Sequence, residues 1–306
     1  MTAPSAQPKT LLCVGECMVE MAPTAGGDFR MGFAGDTYNA AWYARRLMPK
    51  DWTVGYVTGV GADAISDRML ATMQEAGIDA GAVRRVPERT VGLYLIQLDK
   101  GERSFAYWRG QSAARTLADD PGWLEDVFAR AGAIFYSGIT LAILPDETRE
   151  TFLDALEQAR ARGVVTIFDT NMRARLWPGA EAMCAAIMQG AAKADIVLPS
   201  FDEEQDAFGE TTQAEVAARY HEAGARLVVV KNGAGEILVS EAGAELFRHT
   251  PQPVKSVVDT TAAGDSFDAG FLAAYLQGQA LPDAVSRGAE LAAQVVQAPG
   301  ALVEPR

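Results

Sequence analysis

The sequence predicts an α/β domain built on a largely parallel sheet with helices on both of its faces. Short, continuous apolar segments alternate with helical patterns along most of the 306 residues. Strands that are buried on both faces read as unbroken apolar runs, and parallel strands need crossover connections, which are usually helices. Hydrophobic residues make up 49% of the chain, which is enough for a sizeable core. We therefore expect a three-layer α/β/α sandwich with a mostly parallel central sheet.

The individual elements follow from the apolar pattern and the residues that flank it. The expected strands are Leu11–Val14, Trp52–Val60, Ala133–Tyr136, Val164–Phe168, Asp195–Leu198 and Leu227–Val230. The expected helices are Asp36–Leu47, Asp63–Ala76, Pro145–Arg162, Ala180–Gly190 and Phe267–Leu276. Asp63 is a good N-terminal cap for the second helix, and Gly77 follows its last apolar residue. Because no internal repeat or linker interrupts this order, residues 1–306 are expected to form a single domain.

Two segments, approximately residues 17–33 and 90–110, depart from this alternation. Met18–Phe33 is a long mixed stretch with Gly26-Gly27 near its middle. Val91–Leu98 and Arg103–Trp108 read as two strands, and Asp99–Glu102 between them is a good hairpin turn. Together these segments predict a small β-sheet lid inserted into the domain, with a decorative insertion as the alternative.

Composition excludes several classes of function. A net charge of −13 argues against nucleic acid as a partner. The chain has no apolar run as long as a membrane span, and Met1–Lys9 lacks the apolar region of a secretory signal. Cys13, Cys17 and Cys184 are odd in number and lack the spacing of a metal site, so they are expected to be free thiols. We therefore expect a cytoplasmic protein that does not associate with membranes.

The loop Asp259–Gly264 leads directly into a helical pattern, and it is the most informative stretch of the chain. Backbone N–H groups at Ala262, Ala263 and Gly264 would be free at such a helix start, where the positive end of the helix dipole also attracts anions. Asp265 places a carboxylate beside this anion hole. An anion hole next to a base is what transfer of a phosphoryl group from ATP to a hydroxyl requires. On spacing alone, a simple helix-capping role for Asp265 is equally good.

Polar residues on two other elements are suited to binding a sugar. Asp36 and Asn39 are three residues apart, so they share one face of a helix and can bind hydroxyl groups. Alternation along a strand places Tyr107 and Arg109 on the same side. There the aromatic ring can border a sugar and the forked guanidinium can bind its carboxylate. Helix capping is the alternative for the first pair, and surface packing is the alternative for the second.

Two further loops follow predicted strands. Asn171 and Arg173 come after Val164–Phe168, and ligands of open α/β sheets bind at the carboxyl ends of strands. In Lys231–Gly235, two glycines after a buried strand would let the backbone approach a ligand, although a plain hairpin turn fits equally well. A polar loop is the alternative for the first pair, and Arg175 is expected to be structural.

The whole stretch Asp259–Phe267 closely resembles the C-terminal motif of the ribokinase/PfkB family of sugar kinases. This resemblance implies a ribokinase-like fold, ATP and Mg²⁺ as cofactors, Asp265 as the base, and an anion hole at Ala262, Ala263 and Gly264. Gly35–Asn39 is similar to the family's Gly-Gly-Asp/Asn-x-x-Asn pattern, except that Ala34 occupies the position of the first glycine. Ser200–Glu204 resembles the family's Asn-x-x-Glu element, with serine in place of asparagine, and implies that Glu203 organises Mg²⁺ through water.

Several other segments resemble the bacterial 2-keto-3-deoxygluconate kinases within this family. They are Gly15–Glu20, Gly92–Tyr94, Gly101–Arg109, Ser137–Ile139 and Arg173–Trp177. The resemblance implies ATP-dependent phosphorylation of 2-keto-3-deoxy-D-gluconate to its 6-phosphate. The substrate positions that it implies are Gly35, Asp36, Asn39, Tyr94, Tyr107, Arg109, Arg173 and Asp265. The implied ATP positions are Asn171, Ser200, Lys231, Gly233, Gly235, Ala263 and Gly264, with Ala289 near the adenine. Fructokinase or another PfkB sugar kinase is one alternative, and a non-catalytic sugar-binding regulator is another, against which the intact Gly264-Asp265 pair argues.

Four more expectations concern charge, ions and assembly. Because the chain is strongly acidic, a sugar carboxylate needs a specific cation, and Arg109 is expected to select acids over neutral sugars, with Arg173 as the second candidate. The helix start is expected to lower the pKa of Asp265. A monovalent cation is a candidate cofactor. A homo-oligomer is expected, with the open edges of the lid sheet as the candidate dimer contact.

Overall fold

The structure is a computed structural model in which residues 8–24, 26–99 and 102–305 are described. Its strands, in chain order, are β1 Thr10–Val14, β2 Met18–Pro23, β3 Phe29–Ala34, β4 Thr53–Val60, β5 Val83–Arg85, β6 Leu93–Asp99, β7 Glu102–Trp108, β8 Ala133–Ser137, β9 Val165–Asp169, β10 Ile196–Val197, β11 Leu227–Val230, β12 Ile237–Glu241 and β13 Ala244–His249. Its helices are α1 Asp36–Leu47, α2 Ala64–Glu75, α3 Pro121–Phe128, α4 Gly138–Ile143, α5 Asp146–Ala161, α6 Ala180–Ala192, α7 Phe201–Phe208, α8 Gln213–Glu222, α9 Ala263–Tyr275 and α10 Leu281–Val295. Single 3₁₀ turns lie at Ala113–Thr116 and Ala174–Leu176.

The larger sheet has nine strands in the order β13-β12-β11-β10-β9-β8-β1-β4-β5. All neighbours from β11 to β5 pair in parallel, whereas β12 and β13 add an antiparallel edge. The six predicted strands form six consecutive positions of this sheet, so the parallel arrangement is confirmed. The edge strands β5, β12 and β13 were not predicted.

Helices cover both faces of this sheet. Alternate residues of its strands point to opposite faces and pack into two different apolar cores. Leu11 and Cys13 of β1 belong to one core, together with residues of α1, α2, α9 and α10. Leu12 and Val14 belong to the other, together with residues of α3, α4, α5, α6 and α8. This alternation follows from the period of two along a strand. The predicted three-layer sandwich is therefore confirmed.

The smaller sheet has four strands in the order β3-β2-β6-β7 and forms the predicted second sheet. Within the mixed segment Met18–Phe33, β2 pairs antiparallel with β3, and β2 also pairs in parallel with β6. β6 and β7 form the expected second hairpin. Two residues of its predicted turn, Lys100 and Gly101, lie outside the described residues, as do Met1 to Gln7 of the N-terminal stretch. We refer to this four-stranded sheet as the lid.

Within the described residues, no helix has the length and apolar character needed to cross a membrane.

Candidate functional site

A cavity of about 660 Å³ lies between the carboxyl ends of the central strands and the lid. The central sheet contributes Asp169 at the end of β9 and Lys231 directly after β11, the lid contributes Tyr94 and Tyr107, and the start of α9 contributes Asp265. Because parallel strands end at the same edge, loops that are distant in sequence converge here, as is usual in open α/β sheets.

The predicted anion-binding loop forms a tight turn at the cavity wall. Asp259 fixes its start, since its Oδ1 accepts hydrogen bonds from the N–H of Thr261 at 3.0 Å and the hydroxyl of Thr261 at 2.7 Å. Ala262 caps α9 in the left-handed conformation, with φ 60° and ψ 18°. The N–H of Ala263 donates to the carbonyl of Thr260 at 3.1 Å, so the expectation that it would be free is wrong. The helix also begins four residues before the predicted Phe267.

Asp265 lies in the first turn of α9, where its Oδ2 accepts a hydrogen bond of 2.7 Å from the side-chain amide of Asn39. Burial, followed by the nearby carboxylate of Asp36, raises the pKa of Asp265 from 3.8 to about 8. The helix start was expected to lower this pKa, and that expectation is wrong. Burial and the neighbouring carboxylate of Asp36 both disfavour the charged form of this enclosed side chain, and the hydrogen bond from Asn39 only partly opposes them.

Asp36 is held in place by two donors from other elements. Its Oδ2 accepts hydrogen bonds from the hydroxyl of Ser137 at 2.5 Å and the amide of Asn171 at 2.9 Å. Burial raises the pKa of Asp36, whereas the hydrogen bond from Ser137 opposes this effect. Asn171 has a positive φ of 26°, which turns the chain back towards Asp36 after β9. The amide of Asn171, expected to contact ATP, is therefore bound to Asp36.

Lys231 is buried, and its ammonium group is paired with two carboxylates. Its Nζ lies 3.1 Å from Oδ1 of Asp169 and 3.0 Å from Oδ1 of Asp268, which is one turn beyond Asp265 on α9. Burial favours the neutral amine, but the two carboxylates prevail and raise the pKa of Lys231. Lys231 was predicted as part of a nucleotide-binding loop, and its ammonium group joins β9, β11 and α9.

Arg109, the predicted selector of sugar acids, is paired with a carboxylate in this structure. Its Nε donates to Oε2 of Glu16 at 2.7 Å, and Nη2 forms an ion pair with the same oxygen. The two side chains are 10% and 0% exposed, so the pair is almost completely desolvated. Glu16 lies between β1 and β2, at the root of the lid.

Arg173 also has an acidic partner, although a more exposed one. It forms an ion pair with Glu203, and the two side chains are 39% and 25% exposed. Oε2 of Glu203 accepts the N–H of Met172 at 3.0 Å. Burial raises the pKa of Glu203, with Arg173 opposing this effect. Glu203, expected to organise Mg²⁺, therefore binds Arg173 and the loop after β9.

An aromatic cluster of the lid faces the cavity. The rings of Tyr94 and Tyr107 stack with centroids 5.8 Å apart and an interplanar angle of 28°. Phe105 packs beside both rings. Nη2 of Arg175 lies 2.5 Å from the hydroxyl of Tyr107, and its guanidinium lies 4.2 Å from the centre of that ring. Arg175 thus links the 3₁₀ turn of the main domain to the lid.

The described cavity lining brings together most of the predicted site residues. They are Gly35, Asp36, Asn39, Tyr94, Tyr107, Arg109, Asn171, Arg173, Ser200, Glu203, Lys231, Ala262, Ala263, Gly264 and Asp265. Gly233, Gly235 and Ala289 are not among the lining residues, and Ala289 is buried in a core.

Sequence reasoning missed several residues of this site. They are Glu16, Phe105, Asp169, Arg175 and Asp268, of which all except Asp268 line the cavity. The sequence held weak signals for three of them, because Glu16 lies in the short link after β1, Asp169 ends β9, and Asp268 follows Asp265 by one helical turn. Their partners, however, are distant in sequence.

The cavity is acidic overall, which bears on the ions that it can bind. Among the described lining residues, seven are acidic and four are basic. Within the same described part of the chain, no group of three or more His, Cys, Asp or Glu side chains is arranged to hold a metal ion by itself.

Comparison with known proteins agrees with this geometry. Residues 8–305 match the model of the pfkB family carbohydrate kinases. The chain is 40% identical to 2-dehydro-3-deoxygluconokinase of Escherichia coli strain K12, over 96% of this chain and 97% of that protein. It is 36% identical to the protein of the same name from Haemophilus influenzae, over 97% of this chain and 96% of that one. The crystal structure of a PfkB protein from Polaromonas sp. JS666 superposes with a TM-score of 0.82 at 31% identity, covering 94% of this chain and 95% of that one. The chain belongs to the PfkB family of carbohydrate kinases.

Proposed function

We propose that the protein transfers the γ-phosphoryl group of ATP to the 6-hydroxyl of 2-keto-3-deoxy-D-gluconate, also named 2-dehydro-3-deoxygluconate. The observation that carries this proposal is that Asp265, at the start of α9, lines the same cavity as the turn Ala262–Gly264 and the lid residues Tyr94 and Tyr107. A hydroxyl placed beside Asp265 could attack a phosphoryl group held at the turn. The name shared by the relatives that match almost the whole chain supports this choice of sugar acid.

Asp265 is proposed as the general base. A base works best when its pKa is near the working pH, and the pKa of about 8 for Asp265 meets this condition. The amide of Asn39 fixes the orientation of the carboxylate. In a loose phosphoryl-transfer transition state the proton leaves late, so the base mainly orients the hydroxyl and receives its proton.

The turn Ala262–Gly264 is proposed to bind the transferring phosphoryl group. The N-terminal end of α9 carries partial positive charge, and a phosphate oxygen would be stabilised there. Gly264 has ample space, since a Cβ built on it would meet no atom nearer than Nζ of Lys231 at 3.8 Å.

Mg²⁺ is proposed to bind together with the nucleotide. Mg²⁺ in kinases is typically held by one or two carboxylates plus phosphate oxygens and water, which fits an acidic cavity without a preformed cage in the described residues. Glu203 at the cavity edge is the proposed outer ligand, through water. When bound, the ion would neutralise charge on the phosphates.

We propose that Arg173, and not Arg109, is the preferred partner of the sugar carboxylate. The Arg173–Glu203 pair is partly exposed, so its exchange for a substrate carboxylate needs little new desolvation. The Arg109–Glu16 pair is buried, and separating it would leave a desolvated charge. Arg109 then contributes by holding Glu16 at the root of the lid. The rings of Tyr94 and Tyr107 flank the sugar.

We further infer that the chain works as one cytoplasmic kinase domain with its lid. A monovalent-cation requirement and a homodimer formed through the lid edges remain proposals. Activity with and without K⁺, and light scattering of the purified protein, would test them.

A coupled-enzyme assay of ADP release, run over a panel of sugars and sugar acids, tests the proposed substrate. We expect kcat/KM to be highest for 2-keto-3-deoxy-D-gluconate and much lower for fructose. A wild type that prefers fructose would overturn the sugar-acid assignment, and an absence of ADP release with every sugar would overturn the catalytic role.

A further inference from the structure

We propose that the methyl group of Ala262 couples the lid to the phosphate-binding turn, which makes Ala262 a positioning residue for phosphoryl transfer. The inference rests on the proposed function, because it assigns a role to a side chain next to the proposed phosphate site. It concerns a contact with the lid, however, and not the choice of substrate.

The conformation of Ala262 is the first supporting observation. Its φ of 60° lies in the left-handed region, which glycine adopts freely and alanine adopts at a cost in free energy. Among the described residues other than glycine, Asn171 and Ala242 are the others with positive φ. Two of these three residues, Asn171 and Ala262, line the cavity, and strained backbone is often retained at functional sites.

The packing of Ala262 is the second observation. The lid has its own apolar cluster of Met18, Ala34, Tyr94 and Ile96, which also includes Ala301 from the C-terminal segment. Ala262 and Tyr107 both pack against this cluster. The side chain that makes the left-handed conformation costly therefore also packs against the cluster that contains the lid residues.

The position of Ala262 in the chain gives this contact a consequence. Its carbonyl accepts the N–H of Ser266 at 2.9 Å, so Ala262 is fixed to the first turn of α9. That turn carries Gly264 and Asp265. A lid that rests on the methyl group would hold the turn and the base in register with the sugar, and an open lid would release that constraint.

The Ala262→Gly variant separates the effect of backbone strain from the effect of packing against the lid cluster. The Ala262→Gly substitution keeps the backbone N–H proposed to face a phosphate, removes the cost of the left-handed alanine, and deletes the methyl group that packs against the lid cluster. Ala242→Gly is the matched control, since Ala242 is also left-handed, with φ 51°, but lies exposed in the hairpin between β12 and β13. Both variants are expected to melt at or above the wild-type Tm.

The two variants should differ in kinetics. We expect Ala262→Gly to raise the KM for the sugar acid at least about five-fold and to increase ATP hydrolysis in the absence of sugar, because a loosened lid admits water. Its KM for ATP should stay within about two-fold of wild type, and Ala242→Gly should match wild type throughout. Equal sugar KM values for Ala262→Gly and wild type would overturn the coupling. An ATP KM that rises as much as the sugar KM would also overturn it, since that result assigns the effect to a loosened turn.

A double-mutant cycle tests whether the effect passes through the lid cluster. Ile96→Ala should raise the sugar KM in the wild-type background and raise it less in the Ala262→Gly background, as expected for residues that act through one contact. Additive effects would contradict the proposal. If Ile96→Ala lowers Tm too far for assay, Leu302→Ala removes a side chain that packs on the same cluster from the C-terminal segment. The cycle is run with whichever sugar the wild type phosphorylates, so a failure of the substrate assignment stays distinct from a failure of this inference.

Discussion

Asp265 shows how a single residue acquires its chemistry from distant parts of the chain. The sequence places it at a helix start, where the dipole alone would lower its pKa. The structure adds burial and Asp36, and the pKa rises to about 8. The hydrogen bond from Asn39 to Asp265 joins residues 226 positions apart, a distance over which a local pattern carries no information.

The raised pKa of Asp265 leads to a prediction about stability. A carboxyl group whose folded pKa exceeds its ordinary value of 3.8 opposes folding when it is ionised, so the penalty grows as pH rises from about 4 to about 8. Asp265→Asn removes this penalty. The variant should match wild type near pH 4 and be more stable by about 1–4 kcal/mol at pH 9. Urea unfolding at pH 5, 7 and 9 measures the difference, and a difference independent of pH would contradict the raised pKa.

The buried pair of Arg109 and Glu16 gives a second prediction at this scale. Arg109→Ala leaves the carboxylate of Glu16 buried without its cation and should reduce stability by about 3–5 kcal/mol. Adding Glu16→Gln should recover part of this loss, because the uncompensated charge is gone. Chemical denaturation of the single and double variants provides the comparison. If Arg109→Ala keeps wild-type stability and loses activity on the sugar acid but not on neutral sugars, then Arg109 is the residue that selects the acid.

At the scale of elements, the sequence predicted the buried centre of the sheet better than its edges. Central strands such as β8 and β11 are continuous apolar runs, and their burial on both faces makes this signal unambiguous. The missed β5 has three residues, and the missed β13 is largely exposed, so neither has a distinctive apolar pattern. The lid was predicted from one hairpin and the mixed segment Met18–Phe33, but the parallel pairing of β2 with β6 depends on tertiary contacts that local patterns do not encode.

The lid contact of Arg175 supplies a prediction at the scale of elements. The sequence suggested a structural role for Arg175, yet its guanidinium stacks on the ring of Tyr107 and lies within hydrogen-bond distance of its hydroxyl. Arg175→Gln should raise the sugar KM by about three- to ten-fold, as expected for loss of about 1 kcal/mol of cation–π and hydrogen-bond energy.

Tyr107→Phe is the graded control for Arg175→Gln. It removes the hydroxyl and keeps the ring under the guanidinium, so a smaller rise in the sugar KM is expected. Steady-state kinetics and Tm are measured together on both variants. If Arg175→Gln lowers Tm without any change in kinetics, then the role of Arg175 is purely structural.

At the scale of the whole molecule, the site is defined by its charges and by the loops that meet at one edge of the central sheet. The net charge of −13 was evident from the sequence and correctly posed the question of how an anion could be bound. The answer lies in three-dimensional pairing, since three of the four cavity cations have carboxylate partners in the described structure. Sequence motifs identified most of the residues that meet in the cavity, but the partner of each charge could not be read from spacing.

The most direct test of the central claim is identification of the product by ³¹P NMR. Purified wild-type protein is incubated with Mg·ATP and 2-keto-3-deoxy-D-gluconate, and Asp265→Asn is treated in parallel. We predict that wild type forms a phosphate monoester on the 6-carbon. Asp265→Asn should bind the sugar and form this product about 10²–10⁴-fold more slowly, which is the usual cost of losing a general base. A wild-type product phosphorylated elsewhere, or turnover by Asp265→Asn within a few-fold of wild type, would contradict the account.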